Sequence, residues 1–145
     1  MTNIPVKKLR DNAILPSYAT ACAAGADLYA CVDEPVTIRS HFTEMIPLGF
    51  SMAIPQGWVG LIFARSGIAS KRDLAPANKV GVVDADYRGE WWIPLHNHGE
   101  QPRTVEPGER VAQLVIVPCM TAAFFEVDDL DETERGAGGF GSTGI

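Results

Sequence analysis

Gly49-Phe-Ser-Met-Ala-Ile54-Pro55-Gln-Gly57-Trp-Val59-Gly-Leu-Ile-Phe63 decides the fold. Apolar residues recur there at every second position, and Pro55-Gln-Gly57 interrupts them. A period of two belongs to a strand, whose side chains alternate between faces; a helix would show 3.6. Thr43-Glu-Met-Ile46 upstream and Arg110-Val-Ala-Gln-Leu-Val-Ile-Val117 downstream read the same way, with breaks at Pro47, Pro107-Gly108 and Pro118. Short strands punctuated by Gly and Pro every 8–12 residues or so predict an all-β sandwich, barrel or jelly roll. One short helix is expected, starting near Ser66 and running through Arg72. There is no internal repeat and no Pro- or Ser-rich linker. Residues 1–145 therefore read as a single domain, with 135–145 as a mobile Gly-rich C-terminal arm.

The 145 residues suffice to bury ~70% of the surface of the unfolded chain. Charged residues make up 21% and hydrophobic ones 46%, an ordinary globular composition. The formal charge of −6 argues against a nucleic-acid polymer as partner, because such binding needs a basic face. A small phosphorylated ligand held by a few arginines remains compatible with it. No apolar run reaches membrane-span length, and Met1-Thr-Asn-Ile-Pro5 has no signal-peptide pattern. Cys22, Cys31 and Cys119 are odd in number and lack CxxC spacing. They read as reduced thiols, which suggests a cytoplasmic protein without contact to a membrane.

Three segments carry chemistry. The tail Arg135-Gly-Ala-Gly-Gly-Phe140-Gly-Ser142-Thr143-Gly-Ile145 combines a guanidinium, an aromatic ring, two hydroxyls and five glycines. It can be a frayed terminus, or it can close on a flat, multiply anionic ligand such as a nucleotide. Its Gly136-x-x-x-x-Gly141 spacing imitates a P-loop, but Ser142 stands where the lysine belongs and no helix follows. The second segment, Gly81-Val-Val-Asp84-Ala-Asp86-Tyr87-Arg88-Gly89-Glu90-Trp91, reads as a hairpin with a carboxylate at its mouth. Its two acids can cap the turn or present charge to one face, and the backbone of Val82 and Val83 can read a nucleobase edge. In the third, Phe63-Ala-Arg65-Ser66-Gly67-Ile68, Ser66 can cap the helix beside an arginine, which makes either an anion site or a plain cap. His96-x-His98 lacks a third ligand at metal spacing, and no nucleophile elbow surrounds Ser66.

Together these segments resemble the trimeric dUTPase family over nearly the whole chain. Ala24-Gly25-Ala26-Asp27-Leu28 is similar to the family's first motif and Arg65-Ser66-Gly67 to its second. Gly81 to Gly89 is similar to the third, Gly108-Glu109-Arg110-Val111-Ala112-Gln113 to the fourth, and Arg135 to Gly144 to the fifth. Each motif is short, and their order and spacing are what make the likeness specific. The resemblance implies a jelly-roll-like β domain, a homotrimer with shared active sites, and Mg²⁺-dependent hydrolysis of dUTP to dUMP and pyrophosphate. Such a reaction limits uracil incorporation into DNA and supplies dUMP for dTMP synthesis.

It also implies roles. Asp84 resembles the carboxylate that orients and deprotonates the water attacking the α-phosphorus. Tyr87 resembles the ring packed on deoxyribose, and Val82 and Val83 the backbone readers of uracil, helped by Asn78. Trp92 falls at a position that lines the base pocket in relatives, usually with a longer, more flexible side chain. Arg65, Ser66 and Gly67 resemble the α/β-phosphate cradle, with Gln113 supporting it. Arg135, Gly141 and Ser142 resemble γ-phosphate ligands, and Phe140 the ring that closes over the base. Mg²⁺ would be held mainly by the phosphates, with Asp27 touching it through water. Ala64 departs from the family's usual proline before Arg-Ser-Gly. A dCTP deaminase, which shares the fold family, and a non-catalytic nucleotide sensor are the alternatives, but the Asp-x-Asp-Tyr-Arg-Gly segment matches hydrolysis.

Overall fold

The computed structural model describes residues 3–140. In chain order the strands are β1 (Val6–Lys8), β2 (Ser17–Tyr18), β3 (Ala26–Tyr29), β4 (Val36–Ile38), β5 (Thr43–Pro47), β6 (Phe50–Met52) and β7 (Trp58–Phe63). Helix α1 (Ser66–Arg72) follows, then β8 (Leu74–Pro76), β9 (Gly81–Val83), β10 (Trp92–Asn97), β11 (Arg103–Val105) and β12 (Arg110–Pro118). The chain is thus an all-β, jelly-roll-like domain with one short helix, as its period-two runs predict. All four runs become strands, and the helix covers the expected residues.

Among the described residues these strands form four antiparallel sheets. The largest has the order β2-β3-β12-β7-β9, and the next β5-β10-β8; β1 pairs with β6 and β11 with β4. Alternation sets the core. On β10, Ile93, Leu95 and Asn97 are buried, whereas Trp92, Pro94 and His96 face outward. A single apolar cluster joins the sheets, including Leu28, Ile46, Phe50, Ile62, Leu95 and Leu114. Burying residues of this size, at about 1.5–3 kcal/mol each, drives the sheets together. Pro94 sits inside β10, yet it costs one bond only: its carbonyl still accepts from Ala77 N at 2.7 Å, at the point where β8 has ended.

Two local expectations are corrected. Gly81–Trp91 is not a paired hairpin. β9 pairs with β7 in the five-stranded sheet, while β10 pairs with β5 and β8 in another. The turn between them crosses from sheet to sheet, because β10 finds two partners elsewhere and β9 is left as an edge. Nor does Ser66 cap α1. The cap position is Arg65, in an extended conformation without a side-chain cap bond, and Ser66 is the first helical residue. The helix ends as Asp73 adopts a left-handed conformation (φ 57°), with Lys71 and Arg72 in the last turn where the helix dipole favours cations.

Candidate active site

An edge strand shows a row of unpaired N–H and C=O groups. β9 is such a strand, and the turn after it separates it from β10. The gap is a cavity of about 330 Å³ whose lining includes Asn78, Val82, Val83, Asp84, Tyr87 and Trp92. Asn78, Val82, Val83, Tyr87 and Trp92, expected on the base and sugar side, therefore meet in one slot, whereas Phe140, expected to close over the base, does not line it. Ile62, Trp91 and Ile93 make its apolar floor, so a flat ring can lie against carbon while its edge meets backbone. Gly81 keeps Asn78 close to that edge: a Cβ there would stand 3.4 Å from Asn78 Nδ2 and 3.2 Å from Ile62 Cβ.

The turn is held by its own carbonyls. Tyr87 N donates to Asp84 O (3.2 Å), and Arg88 donates to Ala85 O (2.7 Å) and Tyr87 O (3.0 Å). Tyr87 folds back so that its hydroxyl donates to Glu90 O at 2.9 Å. Gly89 permits this, since a Cβ at that position would lie 2.5 Å from the tyrosine oxygen. Asp84 is left exposed at the mouth, lining both the slot and a second cavity that it shares with Asp86. With the turn secured by Arg88 and Tyr87, the capping alternative for the two acids gives way to a free carboxylate.

The residues expected to cradle the α- and β-phosphates gather elsewhere. Asp27, Arg65, Ser66, Gly67 and Gln113 line a separate cavity of about 350 Å³, together with Gly25. Asp27 is its only lining acid and is buried (7% exposed). Arg65 Nε donates to Asp27 Oδ1 (2.7 Å), and Arg110 donates to Oδ2 (3.2 Å). A buried carboxylate needs such pairing. In return it fixes the Arg65 fork, whose terminal amino groups remain for a ligand. The irregularity between Arg110 and Ala112 explains why Arg110 takes part. Residues 110 and 113 would face opposite ways on a regular strand, but the shifted register sets them opposite Tyr29 and Asp27, on one face. Gln113 donates to Ala64 O at 2.8 Å, and Gly25 makes room for it, because a Cβ there would lie 2.5 Å from Gln113 Oε1. A Cβ at Gly67 would meet nothing within 4 Å, so this chain's packing does not demand that glycine.

No residue lines both cavities. The register gives the reason. Gly81 lies opposite Ile62 and Val83 opposite Gly60, which sets Asp84 level with Val59 at the start of β7. Arg65 follows the far end of that strand, up to about 20 Å along it. The described part of the arm, up to Phe140, joins neither site: Arg135 is tied locally to Gly138 O (2.9 Å), and Phe140 is fully exposed. Gly141 and Ser142 lie outside the described residues. Sequence reasoning missed Arg110 and Glu90. Arg110 stood in the fourth motif without a role, and Glu90 next to Gly89; only their charge marked them.

Fold and slot define a jelly-roll-like β protein with a carboxylate at the mouth of a ring-sized cleft. Comparison with known proteins specifies it further. The dUTPase family model matches residues 11–144. The chain belongs to the dUTPase family. It is 46% identical over 142 residues to the deoxyuridine 5'-triphosphate nucleotidohydrolase of Syntrophotalea carbinolica, covering 98% of this chain and 97% of that one. A protein of the same name from Desulfitobacterium hafniense is 50% identical over 132 residues, covering 90% and 87%. Among solved structures, a mutant dUTPase of phage 80alpha superposes with a TM-score of 0.89 at 32% identity, covering 98% and 99%. Another mutant of the Staphylococcus bacteriophage 80alpha dUTPase, solved with dUpNHpp, superposes at 0.87, with 29% identity and full coverage of both chains. A phage phi11 dUTPase mutant, described with a structural Mg(II) ion, gives 0.82 at 25% identity, covering 90% and 100%.

Proposed function

We propose that this protein hydrolyses dUTP to dUMP and pyrophosphate, limiting uracil in DNA and supplying dUMP. The observation that carries the reading is the free carboxylate of Asp84 at the mouth of the β9–β10 slot. Uracil lies in the slot with its polar edge on the Val82 and Val83 backbone and Asn78, and Trp92 at its rim. Tyr87 covers the sugar and leaves no room for a 2′-hydroxyl. Asp84 then takes a proton from a water as its oxygen attacks the α-phosphorus; the bond to the bridging oxygen breaks and pyrophosphate leaves. The relative solved with dUpNHpp supports this reaction, since its imido bridge stands where that oxygen would be.

The cradle of Arg65, Ser66, Gly67 and Gln113 binds the phosphates, and its position supports a shared site. Because one chain's cradle shares no lining residue with the slot that its own Asp84 borders, a second copy supplies it, and we take the assembly to be a homotrimer. The arm, residues 135–145, adds Arg135, Phe140, Gly141 and Ser142 from a neighbouring subunit. Exposed Met120, Phe124, Phe125 and Leu130 lead up to it and fit a segment that lies on another copy. Mg²⁺ suits the donor set. The cradle's one lining acid, Asp27, already gives both oxygens to Arg65 and Arg110, so it would meet a metal only through water. Bound with the triphosphate, it would offset the phosphate charge. No helix is long and apolar enough to cross a membrane among the described residues; with its reduced thiols, the protein is assigned to the cytoplasm.

Turnover of dUTP with Mg²⁺, followed by pyrophosphate and ammonia release, tests the reading. Pyrophosphate in step with dUMP is expected. Ammonia release would mean a deaminase, and tight binding without turnover a sensor.

A further inference from the structure

The slot's sugar wall is braced from outside the motifs. Tyr87 owes its position to the carbonyl of Glu90, and the side chain of Glu90 is pinned by a residue from the other end of the chain. Arg10 donates to Glu90 Oε2 at 3.1 Å, and its Nε lies 2.7 Å from Oε1. The same guanidinium sits over the Trp92 ring, 5.4 Å from its centroid, so one cation touches the residues before and after Trp91. Arg10 is itself anchored. The N–H groups of Leu9 and Arg10 both reach Gly49 O (2.8 and 3.2 Å), while Trp91 N donates to Phe50 O (3.0 Å) and Leu48 N to Trp91 O (2.9 Å). The tight segment 48–50, with Gly49 at φ 73°, thus holds both ends of the ion pair.

We infer that Arg10 is a positioning residue for substrate choice: through Glu90 and Trp92 it fixes the 87–92 turn, and with it the Tyr87 ring that excludes a 2′-hydroxyl. The inference rests on the reading of the slot as a deoxyuridine site. Its physical basis is the state of Glu90. That side chain is only 20% exposed and its Oε1 is buried. Without Arg10 the carboxylate would be stranded, and a stranded charge moves toward water. The movement takes the Glu90 carbonyl with it and frees the tyrosine hydroxyl. A neutral partner at position 90 would not be driven out in this way.

The test compares wild type, Arg10→Met, Arg10→Met/Glu90→Gln, Tyr87→Ala and Arg10→Met/Tyr87→Ala. Two readouts are used: hydrogen exchange of peptides over 84–92 without nucleotide, and kcat/KM for UTP relative to dUTP. Arg10→Met should speed exchange in 84–92 about tenfold or more and leave β12 unchanged. It should also raise the UTP/dUTP ratio about three- to tenfold, less than Tyr87→Ala does. Adding Glu90→Gln should return exchange part of the way to wild type. In the Tyr87→Ala background, Arg10→Met should leave the ratio unmoved. Unchanged exchange in Arg10→Met overturns the brace. An active variant with a wild-type ratio overturns the link to specificity, as does a further rise of the ratio in the Tyr87→Ala background. If wild type turns over neither nucleotide, it is the underlying reading of the slot that fails.

Discussion

The two halves of the proposed site differ in kind. The slot between β9 and β10 takes its apolar floor, unpaired backbone edge, carbonyl-held ring and free carboxylate from one chain. The cradle is a set of charges waiting for company, with Arg65 and Arg110 both leaning on Asp27 and an unencumbered glycine at 67. Selecting a base requires fixed geometry, which a single folded chain supplies well. Gripping a triphosphate requires mobile counter-charge, which can be contributed by another copy and by an arm. Discrimination should thus be a property of the chain, and turnover a property of the assembly.

The largest effects should come from splitting the halves. Asp84→Asn keeps the shape of the slot but cannot accept a proton, so kcat should fall about 10²–10⁴-fold while dUTP binding persists. Near-normal turnover would remove Asp84 from its role. Deleting 135–145 should nearly abolish activity without unfolding the protein. Mixing the two inactive chains after denaturation and refolding then asks whether parts are shared. If the arm acts in trans around a threefold axis, about a quarter of the sites regain both an arm and an intact Asp84. An arm that closed on its own subunit would restore none.

Smaller effects should fall on one half at a time. Tyr87→Ala should raise UTP hydrolysis relative to dUTP by about ten- to a hundredfold, because a steric clash disappears. A constant ratio would place sugar selection elsewhere. Gly25→Ala should act on the cradle alone. The added methyl would crowd Gln113 at Oε1 (2.5 Å), Cδ (3.2 Å) and Cβ (3.3 Å) and force it off Ala64 O, so a rise in KM of about three- to tenfold is expected. Parallel changes in the UTP/dUTP ratio would show the two halves to be more tightly coupled than their separate cavities imply.

The difference between the halves also explains what the sequence made legible. Strands, helix and slot residues depend on contacts close in sequence or on a strict period, and Val82, Asp84 and Tyr87 line one cavity because they share one short segment. The pairing of β9 with β7 instead of β10 depends on competition among distant strands, which a local pattern does not record. For the same reason the distance of Arg65 from its own Asp84 was hidden: motif order is one-dimensional, and antiparallel register reverses it. Arg10, from beyond every motif, could be found only through its contacts with Glu90 and Trp92.

The smallest effect probes the far end of β10, where the slot's outer wall runs on into a pair of histidines. His96 and His98 stack edge to face at 4.4 Å, and His96 Nδ1 shares a hydrogen bond with Thr43 Oγ1 (2.8 Å). Partial desolvation lowers the pKa of His98 first, and neighbouring His96 and Lys79 push the same way, with Asp73 opposing. A lowered folded-state pKa means that the unfolded imidazole binds a proton more readily. The contribution of His98 to stability is thus fully present above about pH 6.5 and is lost as pH falls through its lower folded value. Because the ring is exposed and screened, the Tm of wild type should drop by no more than ~2 °C on this account between pH 7.5 and 5.5. His98→Gln should remove that part of the slope and leave the UTP/dUTP ratio unchanged, since the pair lies beyond the slot. A variant with the wild-type slope would exclude His98 as its source. A variant with altered sugar preference would show that β10 transmits strain along its length, and the slot would no longer be independent of what lies beyond it.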